Sequence, residues 1–310
     1  LTELDLRDLH VLKFVELFRA QSLSKIRLDS HPVLERLCVE DCNLDSLDIS
    51  GCSGLKDLRG AQNSYTFIDW GSVGQLLWHI CIRDNPQIEV NIPDLIQFPV
   101  LKELLIWNTN QNGAFVCHNS GIRDISAYGN HYTSADISGC TALRVFALSG
   151  SHLSSINLGT AENLTNVKLK DCALSQDNAD YVLKTLDDAG NLTGYLDITG
   201  NATPSVAALS HYYSLKAKGW TIEEITGIEP VPGSIDNVKM IVTVNEIRLE
   251  FFSDFTGWKA NLYDLYGILI AIKPVNDNIL TFDISSLSSG LYLVSLSNGT
   301  QRLINKFIKP

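Results

Sequence analysis

His79, Glu103 and Asp124 are the residues whose types could do acid–base chemistry, and Cys81 lies two places beyond His79. An imidazole among carboxylates can take up and pass on a proton, and a thiol beside an imidazole can act as a nucleophile. Such chemistry also needs a device around it: a nucleophile on a sharp turn, a glycine loop cradling phosphate, or an H-E-x-x-H pair on a metal. None accompanies these residues, and no C-x-x-C or Cys/His cluster has metal-ligand spacing. The sequence therefore predicts no catalytic residue, no metal site and no cofactor.

The same residues suit recognition better. Arg83, Trp107 and Tyr128 recur near them, and exposed Trp, Tyr and Arg are the usual energetic anchors of binding surfaces. His79, Arg83, Glu103, Trp107, Asp124 and Tyr128 are thus expected to form a ligand-facing patch. The plain alternative is that they are ordinary solvated strand residues.

The elements that must position them repeat along the chain. Leu34 to Leu55 has apolar residues at Leu34, Leu37, Val39, Leu44, Leu47 and Ile49, and a Gly51–Cys52 turn closes the unit. Spacings of three and then two fit neither a 3.6-residue helix nor a simple alternating strand. Units start at Leu12, Leu34, Leu55, Leu77, Leu101, Ile122, Leu143, Leu164 and Thr193, mostly 21 or 22 residues apart. The eighth position beyond each start reads Ala20, Cys42, Asn63, Asn85, Thr109, Asn130, Ser151, Cys172 and Asn201. This pattern resembles the leucine-rich repeat L-x-x-L-x-L-x-x-N/C-x-L, whose period is about 20–29 residues. The resemblance implies a solenoid of about nine to ten coils. Its inner strands would carry the patch in columns, and its eighth residue would turn inward to bond buried backbone groups.

Up to about Gly159 each coil holds two short extended segments, such as Leu44-Leu47-Ile49 and Leu153-Ile156-Leu158 for the second. Leu1, Leu4 and Leu6 match Leu23, Ile26 and Leu28, so the chain is expected to begin within a coil. Leu77 to Leu101 contains Pro86, Pro93 and Pro99, which suits an outward loop. The last two coils read as helical. Ser175 to Ala189 is amphipathic, with an Asn or Asp cap before it and Gly190 after it, and Pro204 to Lys218 is followed by Gly219. Trp220 to Ile222 supplies a final strand. The stretch Ala217 to Ile222 (A-K-G-W-T-I) resembles the closing coil of extracellular leucine-rich proteins of Bacteroidetes.

Beyond the solenoid (1–226) the period is lost. Residues 227–235 (Gly227 to Ser234 being G-I-E-P-V-P-G-S) read as a linker, and 236–310 as a small immunoglobulin-like antiparallel β-sandwich of seven short strands. The chain as a whole is thus mainly β with a few helices. Asn261-Leu-Tyr-Asp-Leu-Tyr-Gly267, Phe282-Asp-Ile-Ser-Ser-Leu287, Gly290-Leu-Tyr-Leu-Val294 and Lys306-Phe-Ile-Lys309 occur in order. Together they resemble the C-terminal sorting domain of the type IX secretion system. That resemblance implies export across the outer membrane and an extracellular or cell-surface location.

Composition narrows the partners. A net charge of −11 argues against nucleic acid, whose phosphates need clustered Lys and Arg. Of 24 basic and 35 acidic residues, 17 and 27 precede residue 228, so the solenoid carries −10. No apolar run approaches the ~20 residues of a membrane span. Seven cysteines do not make a disulfide framework and read as small buried thiols, with Cys117 and Cys140 the one pair that adjacent coils could bring together. Four N-x-S/T sequons, at Asn163, Asn191, Asn201 and Asn298, are read as chance.

The sequence reading is a monomeric, non-enzymatic extracellular repeat protein binding a protein, peptide or glycan along its strand face. The alternatives are an architectural surface protein and the binding module of a larger secreted enzyme.

Overall fold

The computed structural model describes residues 1–71, 73–88, 95–205, 207–225, 238–252, 254–299 and 302–309. Two compact units emerge, Leu1–Thr226 and Gly227–Pro310. The linker segment and Pro93 of the fourth coil's loop lie outside the described residues.

The first unit is a coil wound around one ten-stranded parallel sheet. Its strands run from Phe14–Phe18 through Arg36–Glu40, Asp57–Arg59, His79–Cys81, Glu103–Leu105, Asp124–Ser126, Val145–Ala147 and Asn166–Lys168 to Gly194–Asp197 and Trp220–Ile222. Each pairs with the next coil's strand, and the second repeat leucine lies at its centre: Leu37, Leu58, Ile80, Leu104, Ile125 and Phe146 are all fully buried. Shorter parallel pairings line the other side, Ser46–Asp48 with Phe67–Asp69 and Asn112–Val116 with His131–Asp136 and Ser155–Asn157. Glu3–Asp5 pairs with Lys25–Arg27, placing Leu4 beside Ile26 as the repeat register requires.

Two positions hold each coil's turn. The first is the polar ladder. Asn130 Nδ2 donates to the Ile106 and Ala127 carbonyls, both at 2.9 Å, while its Oδ1 accepts from the backbone N–H groups of Thr109 and Gln111 at 3.0 Å. Asn63, Asn85 and Asn201 repeat this arrangement, and Cys172 donates its thiol to the Leu148 carbonyl. An amide with donor and acceptor satisfies in one residue the backbone groups that a buried turn strands. Ser151, at the same place, is too short, and its hydroxyl finds no partner.

The second position is the residue just before the ladder. Arg19, Asp41, Gln62, Asp84, Asn108, Gly129, Gly150, Asp171 and Gly200 all have φ between 50° and 82°. The chain therefore takes one left-handed step per coil, which favours Gly, Asn and Asp. The consensus of leucines does not mark this position.

In the last two coils helices replace the outer strands. The first, α1, spans Gln176–Asp188 and buries Ala179, Val182, Leu183 and Leu186. Its cap is Ser175, whose hydroxyl accepts the Asn178 N–H at 3.2 Å, and not the expected Asn or Asp. The second, α2, spans Leu209–Lys218 and ends at Gly219 with φ 100°. It starts five residues later than Pro204, and Ser205 N–H bonds the Asp180 carboxylate of α1 at 2.8 Å.

The second unit is a pair of antiparallel sheets. One holds Val238–Val242, Glu246–Phe251 and Ile279–Asp283, and the other Leu269–Pro274, Lys259–Tyr263, Gly290–Ser297 and Arg302–Lys309. All seven expected strands are present. Ile247, Leu249, Leu262, Phe282, Val294 and Leu303 from both sheets share one buried core, which makes a small sandwich.

Candidate functional site

Strand register brings the predicted patch together. Arg36, Asp57, His79, Glu103, Asp124, Val145 and Asn166 are successive partners across the sheet. Arg83, Trp107 and Tyr128 lie two residues past the ends of these strands, where backbone bonds such as Asp84 N–H to the Trp107 carbonyl and Asn108 N–H to the Tyr128 carbonyl continue the ladder. The six residues therefore sit on three adjacent coils, but they divide into two environments.

His79 departs from the expected exposure. It is 5% exposed, and its Nδ1 lies 2.8 Å from Asp57 Oδ1. Arg36 Nε reaches Asp57 Oδ2 at 2.9 Å and Arg59 Nε reaches Oδ1 at 3.1 Å, so three nitrogen groups surround one buried carboxylate. Arg36 also reaches Glu16 at 3.3 Å. Burial works against the Asp57 charge, yet hydrogen bonds from His79 and Arg59 and their positive charge outweigh it and hold this carboxyl at about 2. His79 is thus tied to Asp57 within the fold through Nδ1 and is almost wholly buried. Residue types alone placed it on the face. They could not show that it would be buried between Asp57 and Glu103, with the Trp78 ring beside it.

Cys38 and Cys81, on either side of Arg59 in the adjacent register row, are buried as well. Burial pushes the Cys38 thiol up to about 12, so it is not a ready nucleophile. All seven cysteines are buried, and among the described residues none forms a disulfide. Cys117 and Cys140 do lie on adjacent coils, with Cys140 Sγ donating to the Cys117 carbonyl at 2.9 Å.

The other five predicted residues reach the surface. Trp107 and Tyr128 stack with ring centroids 5.1 Å apart and planes 11° apart. The Arg83 guanidinium lies 5.1 Å from the Trp107 ring centroid while its Nη1 bonds Asp84 Oδ2 at 2.7 Å. Cation, indole and phenol thus form a braced row in which Tyr128 is 37% exposed. Four residues back along the strands, Glu103 and Asp124 sit side by side in register. Burial raises the Asp124 carboxyl above the usual range, and the like charge of Glu103 adds to the rise.

A cluster the sequence did not flag lies between the two helices. Ligand atoms of Asp187, Asp188 and His211 fall within 4.8 Å of one another. Lys218 Nζ already bonds Asp187 Oδ1 at 2.7 Å and His211 Nδ1 bonds Oδ2 at 2.7 Å, so the lysine fills the place of a cation. This group clamps α1 to α2. Asp187 is 24 residues from His211 and 31 from Lys218, beyond any local motif.

Among the described residues no helix is long and apolar enough to cross a membrane. No curated protein matches the sequence. Among solved structures the chain is similar to a leucine-rich repeat protein of Leptospira interrogans, with 14% identity, TM-score 0.40, and 66% of this chain and 67% of that one covered. It is also similar to the functional domain of InlJ from Listeria monocytogenes, a domain that includes a cysteine ladder, with 15% identity, TM-score 0.42, and 100% and 83% covered. A secreted internalin-like protein of the same organism aligns at 12% identity and TM-score 0.27 over 93% and 75%. Residues 241–310 match the secretion system C-terminal sorting domain, which points to secretion and a surface or extracellular location for a chain whose remainder is a leucine-rich-repeat-type solenoid.

Proposed function

We propose that the protein is an exported, monomeric and non-enzymatic binding protein whose solenoid holds a protein, peptide or glycan along its strand face. In this reading 1–226 is the binding part, 227–235 a linker, and 236–310 the domain through which the chain is exported or displayed. The observation that carries it is the Arg83–Trp107–Tyr128 row. Large aromatic side chains at the surface of a sheet stay partly hydrated at a cost, and covering them is what binding hot spots do. Asp84 and Arg83 hold the row in one geometry beforehand, which lowers the entropy lost when a partner arrives. Glu103 and Asp124 supply the polar flank of such a surface.

The test is an array of immobilised proteins, peptides and glycans probed with the full chain and with Trp107→Ala and Tyr128→Ala. Spots that bind the parent chain and lose both variants support the reading. Spots bound equally by all three place binding elsewhere. Reproducible silence favours the architectural role.

A further inference from the structure

We infer that the open half of the face takes an extended peptide segment that offers a basic side chain to Glu103 and Asp124 and, about four residues along, a large apolar side chain to Tyr128. The inference rests on the binding role proposed above and names the partner's chemistry. The separation follows from the strands: four residues at ~3.3 Å each place the carboxylate pair and the aromatic row about 13 Å apart.

The charge is the first argument. Among the described residues the Asp124 carboxylate accepts no hydrogen bond and makes no ion pair, and Glu103 meets only His79 Nε2, at 3.5 Å. That imidazole is already bound to Asp57 through its other nitrogen. Arg123 and Arg144 act on Asp124 through their charge alone, since neither hydrogen-bonds it or makes an ion pair with it. Among the described residues, two adjacent carboxylates, one of them half-buried, thus make no ion pair with a Lys or Arg on a solenoid that carries −10 of the net charge. A neutral sugar would leave that charge uncompensated, whereas a Lys or Arg side chain would remove the repulsion.

Shape is the second. One face of the Tyr128 ring lies on Trp107. On its other side the next coil offers Ser149, whose backbone carbonyl pairs with Gly129 and whose side chain is too short to cover a phenol. Between the carboxylates and the ring, Leu105 and Ser126 form a low floor. A peptide running parallel to the strands crosses that floor without meeting a tall side chain.

The experiment is selection of peptides from a random 12-residue library displayed on phage, using the full chain as bait, followed by titration of the enriched peptides. The expected outcome is enrichment of a Lys or Arg about four positions from Trp, Tyr, Phe or Leu. Glu103→Gln with Asp124→Asn should then weaken such a peptide on the order of tenfold. Raising the salt should weaken it too, and Glu103→Lys with Asp124→Lys should redirect selection to acidic peptides. Peptides that lose affinity with Trp107→Ala but ignore the carboxylate variants and salt would overturn the basic-peptide inference and leave the binding role standing. A library that yields no enriched peptide overturns the inference. If the protein and glycan array is silent as well, the binding role falls with it.

Discussion

Asp57 and Asp124 occupy the same register row of one parallel sheet, three strands apart, and behave oppositely. Asp57 is 2% exposed and bound by Arg36, Arg59 and His79, so its charge is spent inside the fold. Asp124 has Val145 on the next strand and Glu103 on the previous one, so neither register neighbour offers its charge a cation. The geometry of the two positions is the same. What differs is whether the neighbouring strands bring long cations. The first half of the face is stabilised by its polar residues, and the second half pays a small stability cost to keep its own unpaired.

That contrast can be broken most sharply at Asp57. Asp57→Ala leaves two guanidinium groups and an imidazole around an empty site, and should destabilise the solenoid by about 3–5 kcal/mol in urea unfolding. Glu103→Gln and Asp124→Asn should each move stability by no more than about 0.5 kcal/mol. Comparable losses at both places would remove the distinction.

Acid sharpens it. Asp57 titrates at about 2 in the fold, below the ordinary carboxylate value near 4 in the unfolded chain. Its contribution is fully present above pH ~4 and is lost as pH falls toward about 2, roughly 2 kcal/mol in all. Asp124, shifted upward, has the opposite sign. Melting curves between pH 5 and 2 should therefore show a steeper acid limb for the parent chain than for Asp57→Asn, with Asp124→Asn retaining the steep limb.

A smaller effect concerns the left-handed step before each ladder residue. Gln62, in the closed half, holds φ 56° with an ordinary side chain, and Gln62→Gly should stabilise by about 1 kcal/mol. At the equivalent place in the open half, a Cβ on Gly129 would lie 2.1 Å from Asn108 Oδ1, whose amide nitrogen bonds Asp84 at 2.8 Å. Gly129→Ala should therefore destabilise by roughly 1–2 kcal/mol and loosen the Asp84–Arg83 brace of the aromatic row. Thermal melts of the two variants moving in opposite directions would agree with the account.

The scaffold was largely legible in the residues. Leucine spacing set the coils, and the eighth position set the ladder, because each needs one residue type at one place. Helix α1 is visible from Ala179, Val182, Leu183 and Leu186, while the start of α2 is not, since its N-cap is Ala208, a residue with no capping side chain to mark it. The placement of the candidate residues is legible in part. Trp107 and Tyr128 do stack, and Glu103 and Asp124 do adjoin, because register follows from the repeat. The burial of His79 is not legible in its own coil, because its partner Asp57 comes from the coil before and Asp57 is in turn held by Arg36, one coil earlier still.

The most direct test of the account is the affinity of a selected basic–apolar peptide for the full chain carrying Trp107→Ala, with the melting temperature measured on the same sample. The account predicts a loss of about 30-fold or more in affinity with a fall of no more than about 4 °C in melting temperature. An unchanged affinity, or a loss that appears only where the chain has begun to unfold, would contradict it.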